Sequence, residues 1–266
     1  MITFNLITLT GKGNKMKFAE WRCTTAFTVS TAMVIFAHPE NTVWWQYLGS
    51  VILYYAIVLW GLSAVYHRWY CHGAYDAPDW FVNIGAALFM SVGVGTPRSW
   101  SAIHTAHHIY SDTDKDPHSP RHKPWRTFLH APVAIFNRKV VEKMNPRTQT
   151  KNQKLLTKYY TPMVLAWVTF LALLSYEALF FVFLLPACLV GIGTSLSNNI
   201  PHLIKWKHPY KKEKTVYDMP AIWGLVFTEG YHNTHHAKPW LWEYREDGKG
   251  LDFTATMIRL VKYPDK

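Results

Sequence analysis

The chain has 266 residues, which is enough for one large domain or two small ones. Aromatic residues make up 16% of it and charged residues only 17%, an unusually apolar balance for a soluble domain. The mean hydropathy of −0.06 excludes a chain that lies mostly within a bilayer, so we expect membrane spans that carry a large polar portion. The three cysteines form no C-x-x-C pair and predict no disulfide framework, zinc ribbon or iron–sulfur site.

Apolar stretches predict four transmembrane helices, which follow a cytoplasmic N-terminal segment at residues 1–22. The first span is marginal in length, and the second lies in a run of 26 uncharged residues, which is long enough to cross. The third and fourth come from the 46 residues between Tyr159 and Ile204, whose only acidic or basic residue is Glu177. This region suits a hairpin near Ser175-Tyr176-Glu177. The four predicted spans are about 23–39, 43–66, 159–176 and 178–198.

A further apolar stretch, from Trp80 to Thr96, has 17 residues and is broken by three glycines. It predicts a helix that lies at the membrane interface or under a cap. The alternative is a fifth span.

The basic residues favour four spans. All 28 Lys and Arg lie in residues 12–22, 68–158 or 205–266, and none lies in the two predicted turns on the other face. With four spans those three regions share one face, which the positive-inside rule makes cytoplasmic. We therefore expect both termini and the cap (67–158 and 199–266) in the cytoplasm, within one membrane domain at 23–266. A bacterial inner membrane and the endoplasmic reticulum both fit.

The net charge of +11 has a simple explanation in such a topology. A basic juxtamembrane surface meets the anionic head groups of the bilayer and acidic soluble partners. The charge therefore requires no nucleic-acid partner.

Histidines are concentrated in three short stretches, and a fourth piece pairs an asparagine with one more. In each H-x-x-H-H stretch the outer histidines stand at i and i+4, so a helix presents them on one face. His67 and His72 are five residues apart, about 140° around an α-helix, which predicts different sides of a site or different metals. The nine histidines are His67, His72, His104, His107, His108, His202, His232, His235 and His236.

Nine imidazoles exceed the needs of one ion, so two ions are the natural interpretation. Nitrogen donors suit iron, zinc, copper or nickel better than magnesium or calcium. The alternative is that the histidines are scattered and only satisfy hydrogen bonds. The sequence thus predicts an all-α integral membrane protein whose helical cytoplasmic cap holds a histidine-rich di-metal site.

Aspartates follow the second histidine stretch in an arrangement that begins like a calcium-binding EF-hand loop. Pro117 replaces the glycine at its sixth position and Lys123 the glutamate at its twelfth, which argues against calcium. We expect Asp112 and Asp116 instead to orient ligand imidazoles through their second ring nitrogens, and Glu229 to do the same before the third stretch.

The motifs H-R-W-Y-C-H, H-T-A-H-H-I-Y-S-D-T-D-K-D-P-H-S-P and T-E-G-Y-H-N-T-H-H resemble the three histidine boxes of integral-membrane fatty acid desaturases, especially the acyl-CoA Δ9 (stearoyl-CoA) branch. The resemblance implies a mushroom-shaped helical fold and two iron ions held by the nine histidines. It also implies O2 as co-substrate and insertion of a cis double bond, expected at Δ9, into a saturated acyl chain. Asn198, four residues before His202, would reach an iron through water. No catalytic residue is implied beyond these ligands.

The resemblance also implies that the two electrons of each turnover come from outside. No haem, flavin or iron–sulfur motif is present, and a small acidic carrier such as cytochrome b5 or ferredoxin would suit the basic face. In the acyl-CoA branch an arginine stands two residues before the first histidine of the second box, but here that position is Ala102, while Trp100 is retained. CoA, acyl carrier protein and lipid therefore remain open as the acyl carrier.

Tyr54 and Tyr55 resemble a tyrosine pair of the acyl-CoA branch, in which the acyl tunnel floor follows the second span. Leu59, eight residues before His67, occupies a position that is often small in that branch. We expect Tyr55, Leu59 and Trp100 to line the tunnel and Leu59 to close it early. The alternative is that Leu59 faces lipid.

Two other functions compete with desaturation. A related membrane di-iron hydroxylase uses similar histidines and differs only in its product. A non-enzymatic metal-handling membrane protein would keep ligands along a path through its spans, whereas these histidines gather on one predicted face.

Overall fold

Helices dominate the computed structural model, which describes residues 15–19, 21–122, 124, 127, 133–137, 142–213, 215–220, 229–245, 248 and 250–264. The predicted helical class is confirmed in this part of the chain. A 3-10 turn at Pro146–Thr148 precedes the fifth helix. The helices are α1 (Trp21–Phe36), α2 (Trp44–Cys71), α3 (Asp79–Met90), α4 (Pro97–Tyr110), α5 (Lys151–Leu174), α6 (Tyr176–Leu203), α7 (His232–Ala237) and α8 (Phe253–Val261).

Two of these helices, α2 and α6, have 28 residues each and are long and apolar enough to cross a membrane. Both contain π-helical turns, at Ala56–Cys71 in α2 and at Phe180–Leu184 in α6. The π-helical turn of α6 lies just before Pro186, which has no N–H for a helical hydrogen bond.

A tight hairpin joins α5 to α6 at Ser175, where the sequence predicted a turn. Ser175 is extended, with φ −173°, and its Oγ accepts a hydrogen bond of 3.0 Å from the N–H of Ala178. On α5, Leu165 and Leu173 are 61% and 82% exposed, which fits contact with lipid.

Helix α3 lies against the π-helical half of α2. Both helices use glycine at the contact: a Cβ atom at Gly61 would come within 2.9 Å of the carbonyl oxygen of Gly85, and one at Gly85 within 2.5 Å of the Val65 side chain. Phe81 and Phe89 of α3 are buried in the core. Twelve residues make a helix of about 18 Å, too short for a span, so the interpretation of Trp80 to Thr96 as a packed helix fits better than a fifth span.

A small antiparallel ribbon accompanies the helices and was not predicted. Strand β1 (Lys15–Ala19) pairs with β2 (Val133–Asn137), with Lys15 opposite Asn137. The ribbon joins the N-terminal segment to the cap sequence.

Local caps set where the site-bearing helices begin. Thr96 accepts a hydrogen bond from the N–H of Ser99 at 3.3 Å, and Pro97 occupies the first turn of α4. Asp252 caps α8 by accepting from the N–H of Ala255 at 2.7 Å. Helix α8 buries Ile258 completely in the core beside α2.

Candidate metal centre

All nine predicted histidines come together in two groups, within each of which the candidate ligand atoms lie within 4.8 Å of one another. Both groups are buried, with His72 and His108 only partly so. The five-histidine group contains His67, His72, His104, His108 and His235, and the four-histidine group contains His107, His202, His232 and His236.

Each H-x-x-H-H stretch contributes to both groups. In α4 the outer pair, His104 and His108, enters the five-histidine group, while His107 enters the other. In α7 the pattern is reversed, because His235 alone enters the five-histidine group. Residues at i+3 and i+4 project about 100° apart around a helix, so neighbouring histidines point into different groups.

His67 and His72 lie in the same group, so of the two predicted alternatives the assignment to different metals is wrong. The reason is the π-helical geometry of α2. The N–H of His72 donates to the carbonyl oxygen of His67 at 3.1 Å, an i→i+5 bond that stacks the two residues one turn apart.

The Nε2 atoms converge within each group. The Nε2 atom of His108 lies 3.0 Å from His104 Nε2 and 2.8 Å from His235 Nε2. His235 Nε2 in turn lies 3.0 Å from His67 Nε2. Hydrogen bonds alone do not satisfy such a chain well, because each imidazole nitrogen offers one proton or one lone pair.

The four-histidine group repeats this convergence. His107 Nε2 lies 3.2 Å from His236 Nε2, and His202 Nε2 lies 3.1 Å from His232 Nε2. In the five-histidine group, the Nε2 atom of His72 is buried and has no hydrogen-bond partner. A metal ion would engage these lone pairs, so the donor set fits two transition-metal ions.

Carboxylates contact the second ring nitrogen of three of these histidines. His107 Nδ1 lies 2.9 Å from Asp116, and His202 Nδ1 lies 2.8 Å from Asp112. Glu229 lies 3.3 Å from His67 Nδ1. Each contact fixes the tautomer that keeps a lone pair on the converging Nε2.

Burial and neighbouring charges set the protonation of these groups. Burial opposes ionisation of Asp112, but its hydrogen bond with His202 prevails and lowers the pKa of that carboxyl to about 2. The pKa of Asp116 is lowered in the same way by His107. Burial and repulsion between neighbouring rings lower the pKa of six histidines well below 6.5. These rings are therefore neutral, as a metal ligand must be. The six are His72, His104, His108, His232, His235 and His236.

Replacing Asp116 by asparagine should weaken metal binding by about 10- to 100-fold, because the amide does not supply the negative charge that orients His107. Competition with a chromogenic chelator measures the change. The matched control is Asp114→Asn in the same segment, since Asp114 is exposed. Equal metal affinity in the Asp116 and Asp114 variants would contradict the role of Asp116.

An apolar cavity opens beside both groups. Its walls include Leu62, Phe89, Trp100 and Ile103. Asn198, one helical turn before His202, also lines it, and a water-mediated contact of Asn198 with a metal is a proposal. Trp100, one of the three predicted tunnel residues, lines this cavity, and the identity of the cavity as the acyl tunnel stays a prediction.

Tyr55 and Leu59 do not line this cavity. Tyr55 is 38% exposed, and Leu59 is partly buried against the core. Leu62, three residues later on the same helix, does line it, and that Tyr55 and Leu59 line the acyl tunnel stays a prediction. In the π-helical half of α2 the residue one turn before His67 is five positions earlier, which is Leu62.

Two site residues were missed. The His118 ring stacks on His107 at 4.4 Å and lines the cavity, and burial beside His107 lowers its pKa to about 3. Its place two residues after Asp116 was the available signal. The Tyr244 ring lies 5.2 Å from that of His235, and no motif marks it.

Comparisons with known proteins agree with this geometry. A family model described as fatty acid desaturase matches residues 42–245, which include all nine histidines. Delta-9 acyl-lipid desaturase 1 of Arabidopsis thaliana is 27% identical over 201 residues, covering 73% of this chain and 65% of that protein.

Two further relatives come from distant organisms. The sn-1 stearoyl-lipid 9-desaturase of Anabaena variabilis is 25% identical over 242 residues, covering 84% of this chain and 83% of that protein. The acyl-CoA desaturase of Ovis aries is 28% identical over 226 residues, covering 78% of this chain and 62% of that protein. The chain spans less than two thirds of the Arabidopsis and sheep proteins. Since the family model spans most of the chain and contains both histidine groups, the chain belongs to the fatty acid desaturase family.

Proposed function

We propose that this chain is a fatty acyl desaturase that inserts a cis double bond, expected at Δ9, into a saturated acyl chain. The observation that carries the proposal is the convergence of nine imidazoles in two groups beside an apolar cavity. The relatives named as Δ9 desaturases support it. Expression in a desaturase-deficient host, with mass-spectrometric mapping of double bonds, tests it. A hydroxylated product would favour the related hydroxylase, and no lipid product would refute both.

Two iron ions, when bound by the histidines, would supply the O2 chemistry that removes hydrogens from an unactivated methylene. The protein residues do the rest. Asp112, Asp116 and Glu229 hold three ligand rings in place. The apolar walls around Trp100 and Leu62 exclude water and fix one methylene near both groups. A metal-handling protein has no need of such a cavity.

The acyl carrier is best sought first among lipids. Ala102, where an arginine is typical of the acyl-CoA branch, is fully buried and offers no charge to CoA. Acyl-lipid relatives in a plant and a cyanobacterium support the choice. Purified enzyme offered acyl-CoA, acyl carrier protein and phospholipid substrates separately would decide between the three carriers.

We propose a four-span topology in which α1, α2, α5 and α6 cross the bilayer and the histidine groups face the cytoplasm. Reporters fused at either terminus should therefore read as cytoplasmic. Reporters inserted beside Glu40 or Ser175 should read as extracytoplasmic, which serves as the internal control. A terminus on the same side as either inserted reporter would overturn this topology.

Replacing Leu62 by alanine should deepen the cavity and shift preference toward longer acyl chains. Each methylene that binds in an apolar pocket contributes about 1–3 kcal/mol to the discrimination between substrates. The preference for a chain two carbons longer should therefore rise at least about tenfold. The double bond, counted from the carboxyl end, should not move. Mass spectrometry of the products measures both effects.

The matched control is Leu59→Ala, which removes the same atoms from the same helix outside the cavity. An altered chain preference in the Leu59 variant but not in the Leu62 variant would support Leu59 as the residue that closes the tunnel and contradict the role of Leu62.

A further inference from the structure

A second cavity lies between α3 and α5, apart from the one beside the histidines. Its volume of about 440 Å³ is typical of sites for small molecules. Among the described residues, the two cavities share no lining residue. Asn83 and Met90 line the second cavity on α3, and Gln153, Leu156 and Trp167 line it on α5.

In the proposed topology this cavity extends along α5 for the depth of one bilayer leaflet. Gln153 and Trp167 are 14 residues apart on the helix, which separates them by about 21 Å. Half of a bilayer, head groups included, is about 20–22 Å thick. The exposed Lys158 and Tyr159 are residue types that concentrate at the membrane interface. Gln153 therefore lies at the depth of the head groups and Trp167 at the depth of the acyl tails.

The end at head-group depth holds a hydrogen-bond acceptor and a donor side by side. Gln153 is only 8% exposed, and its Nε2 donates to the Tyr70 hydroxyl at 2.9 Å. The Oε1 of Gln153 is buried and has no partner among the described residues, which is costly for an acceptor. The proton of the Tyr70 hydroxyl donates to no described group. A ligand hydroxyl can donate to Gln153 and accept from Tyr70 at once.

The deeper part of the cavity is apolar and open to the bilayer. Leu156, Met163 and Val164 line it on α5, and the small Ala87 leaves room on α3. Met163 and Ala87 are exposed, so an acyl tail of the surrounding leaflet can enter from the side. The groove therefore suits one tail of a lipid that stays in the bilayer.

Positive charge predominates beside the polar end. Lys151 and Lys154 are exposed in the first turn of α5, on either side of Gln153 in the sequence. Asp79, at the start of α3, is an acid whose charge acts on Tyr70. Two lysines against this one aspartate favour a phosphate at the mouth of the cavity.

We propose that the cavity between α3 and α5 binds a phospholipid whose head group carries free hydroxyls. One of these hydroxyls meets Gln153 and Tyr70, the phosphate lies near Lys151 and Lys154, and one acyl tail follows α5. This site is additional to the proposed substrate cavity. The inference rests on the proposed crossing of the bilayer by α5 and not on desaturation.

Titration with phosphatidylglycerol tests the chemical class of the ligand. Native mass spectrometry of the intact protein in detergent counts the lipids that remain bound. Wild type should retain one phosphatidylglycerol at least about tenfold more tightly than phosphatidylcholine, whose head group has no hydroxyl. Phosphatidic acid, which has the charge but not the glycerol hydroxyls, should bind less tightly than phosphatidylglycerol. Equal affinity for phosphatidylglycerol and phosphatidylcholine would overturn the proposal.

Two variants locate the ligand. Ala87→Trp fills the groove and should lower the affinity for phosphatidylglycerol at least about tenfold. Gln153→Met removes the amide and keeps the length of the side chain, and it should lower the affinity about fivefold because one hydrogen bond is lost. The matched controls, Ile84→Trp on α3 and Gln149→Met just before α5, alter residues outside the lining and should bind as wild type.

Melting temperatures without added lipid show whether each variant is folded. Added phosphatidylglycerol should raise the melting temperature of wild type and of both controls, but not that of Ala87→Trp, because a ligand stabilises only the state that binds it. Wild-type affinity in both cavity variants, or an equal loss in their controls, would overturn the site. Since no product is measured, a failure of the proposed function would show separately, as absence of new double bonds in the host lipids.

Discussion

Replacing His235 by alanine should abolish desaturation and reduce bound metal from two ions to one per chain. His235 Nε2 lies 2.8 Å from His108 Nε2 and 3.0 Å from His67 Nε2, so it stands at the centre of the five-histidine group. Its loss removes a donor that no neighbour replaces. Elemental analysis and product assays on the same membrane-inserted preparation measure the two effects.

The next residue gives a sharp comparison. His236→Ala should empty only the four-histidine group, since His236 Nε2 meets His107 Nε2 at 3.2 Å. The double variant should then lose both ions. His38→Ala, which alters an exposed histidine outside both groups, is the control and should keep two. Loss of both ions from either single variant would show that the groups do not bind metal independently.

The large elements were predictable because charge-free runs determine membrane helices directly. Helices α2 and α6 and the turn at Ser175 follow from where charges are missing. The π-helical half of α2 was not predictable, because nothing in its composition distinguishes i→i+5 from i→i+4 bonding. That one feature explains why the α-helical spacing of His67 and His72 left different metals open although the two lie in one group.

The parts of the site that depend on residue spacing within one short stretch were predictable. Helical spacing places His104 and His108 together, and the three carboxylates stand near their motifs in the sequence. The exchange of His107 and His235 between groups depends on how α4 and α7 face each other, which no single stretch records. Tyr244 reaches His235 through a chain reversal after α7, so only the fold shows it.

A second large effect should follow from a buried ion pair beside the metal centre. Arg68, the residue after His67, is fully buried, and its NH1 and NH2 donate to Asp252 at 3.0 and 3.2 Å. NH1 also donates to the carbonyl oxygen of Trp242 at 2.6 Å. Asp252 therefore both caps α8 and neutralises a charge in the core.

Replacing Asp252 by alanine leaves the Arg68 guanidinium buried without its counter-charge, which costs about 3–5 kcal/mol. The lost cap of α8 adds to that cost. We expect the melting temperature in detergent to fall by about 10 °C. Bound metal should fall as well, because a displaced Arg68 moves the adjacent His67 out of the five-histidine group.

The matched control uses an exposed arginine of the C-terminal region that is also paired with an acid. Arg259 is 58% exposed at its side chain and donates to Glu243 at 2.7 Å. Solvent screens such a pair, so Arg259→Ala should cost no more than about 1 kcal/mol and leave the metal content unchanged. If the Asp252→Ala variant had the same melting temperature as the Arg259→Ala variant and kept both ions, the buried pair would not hold the first histidine stretch in place. Asp252→Asn keeps hydrogen-bonding atoms but not the charge, so its melting temperature should lie between those of Asp252→Ala and Arg259→Ala. This variant separates the cost of the lost charge from that of the lost cap.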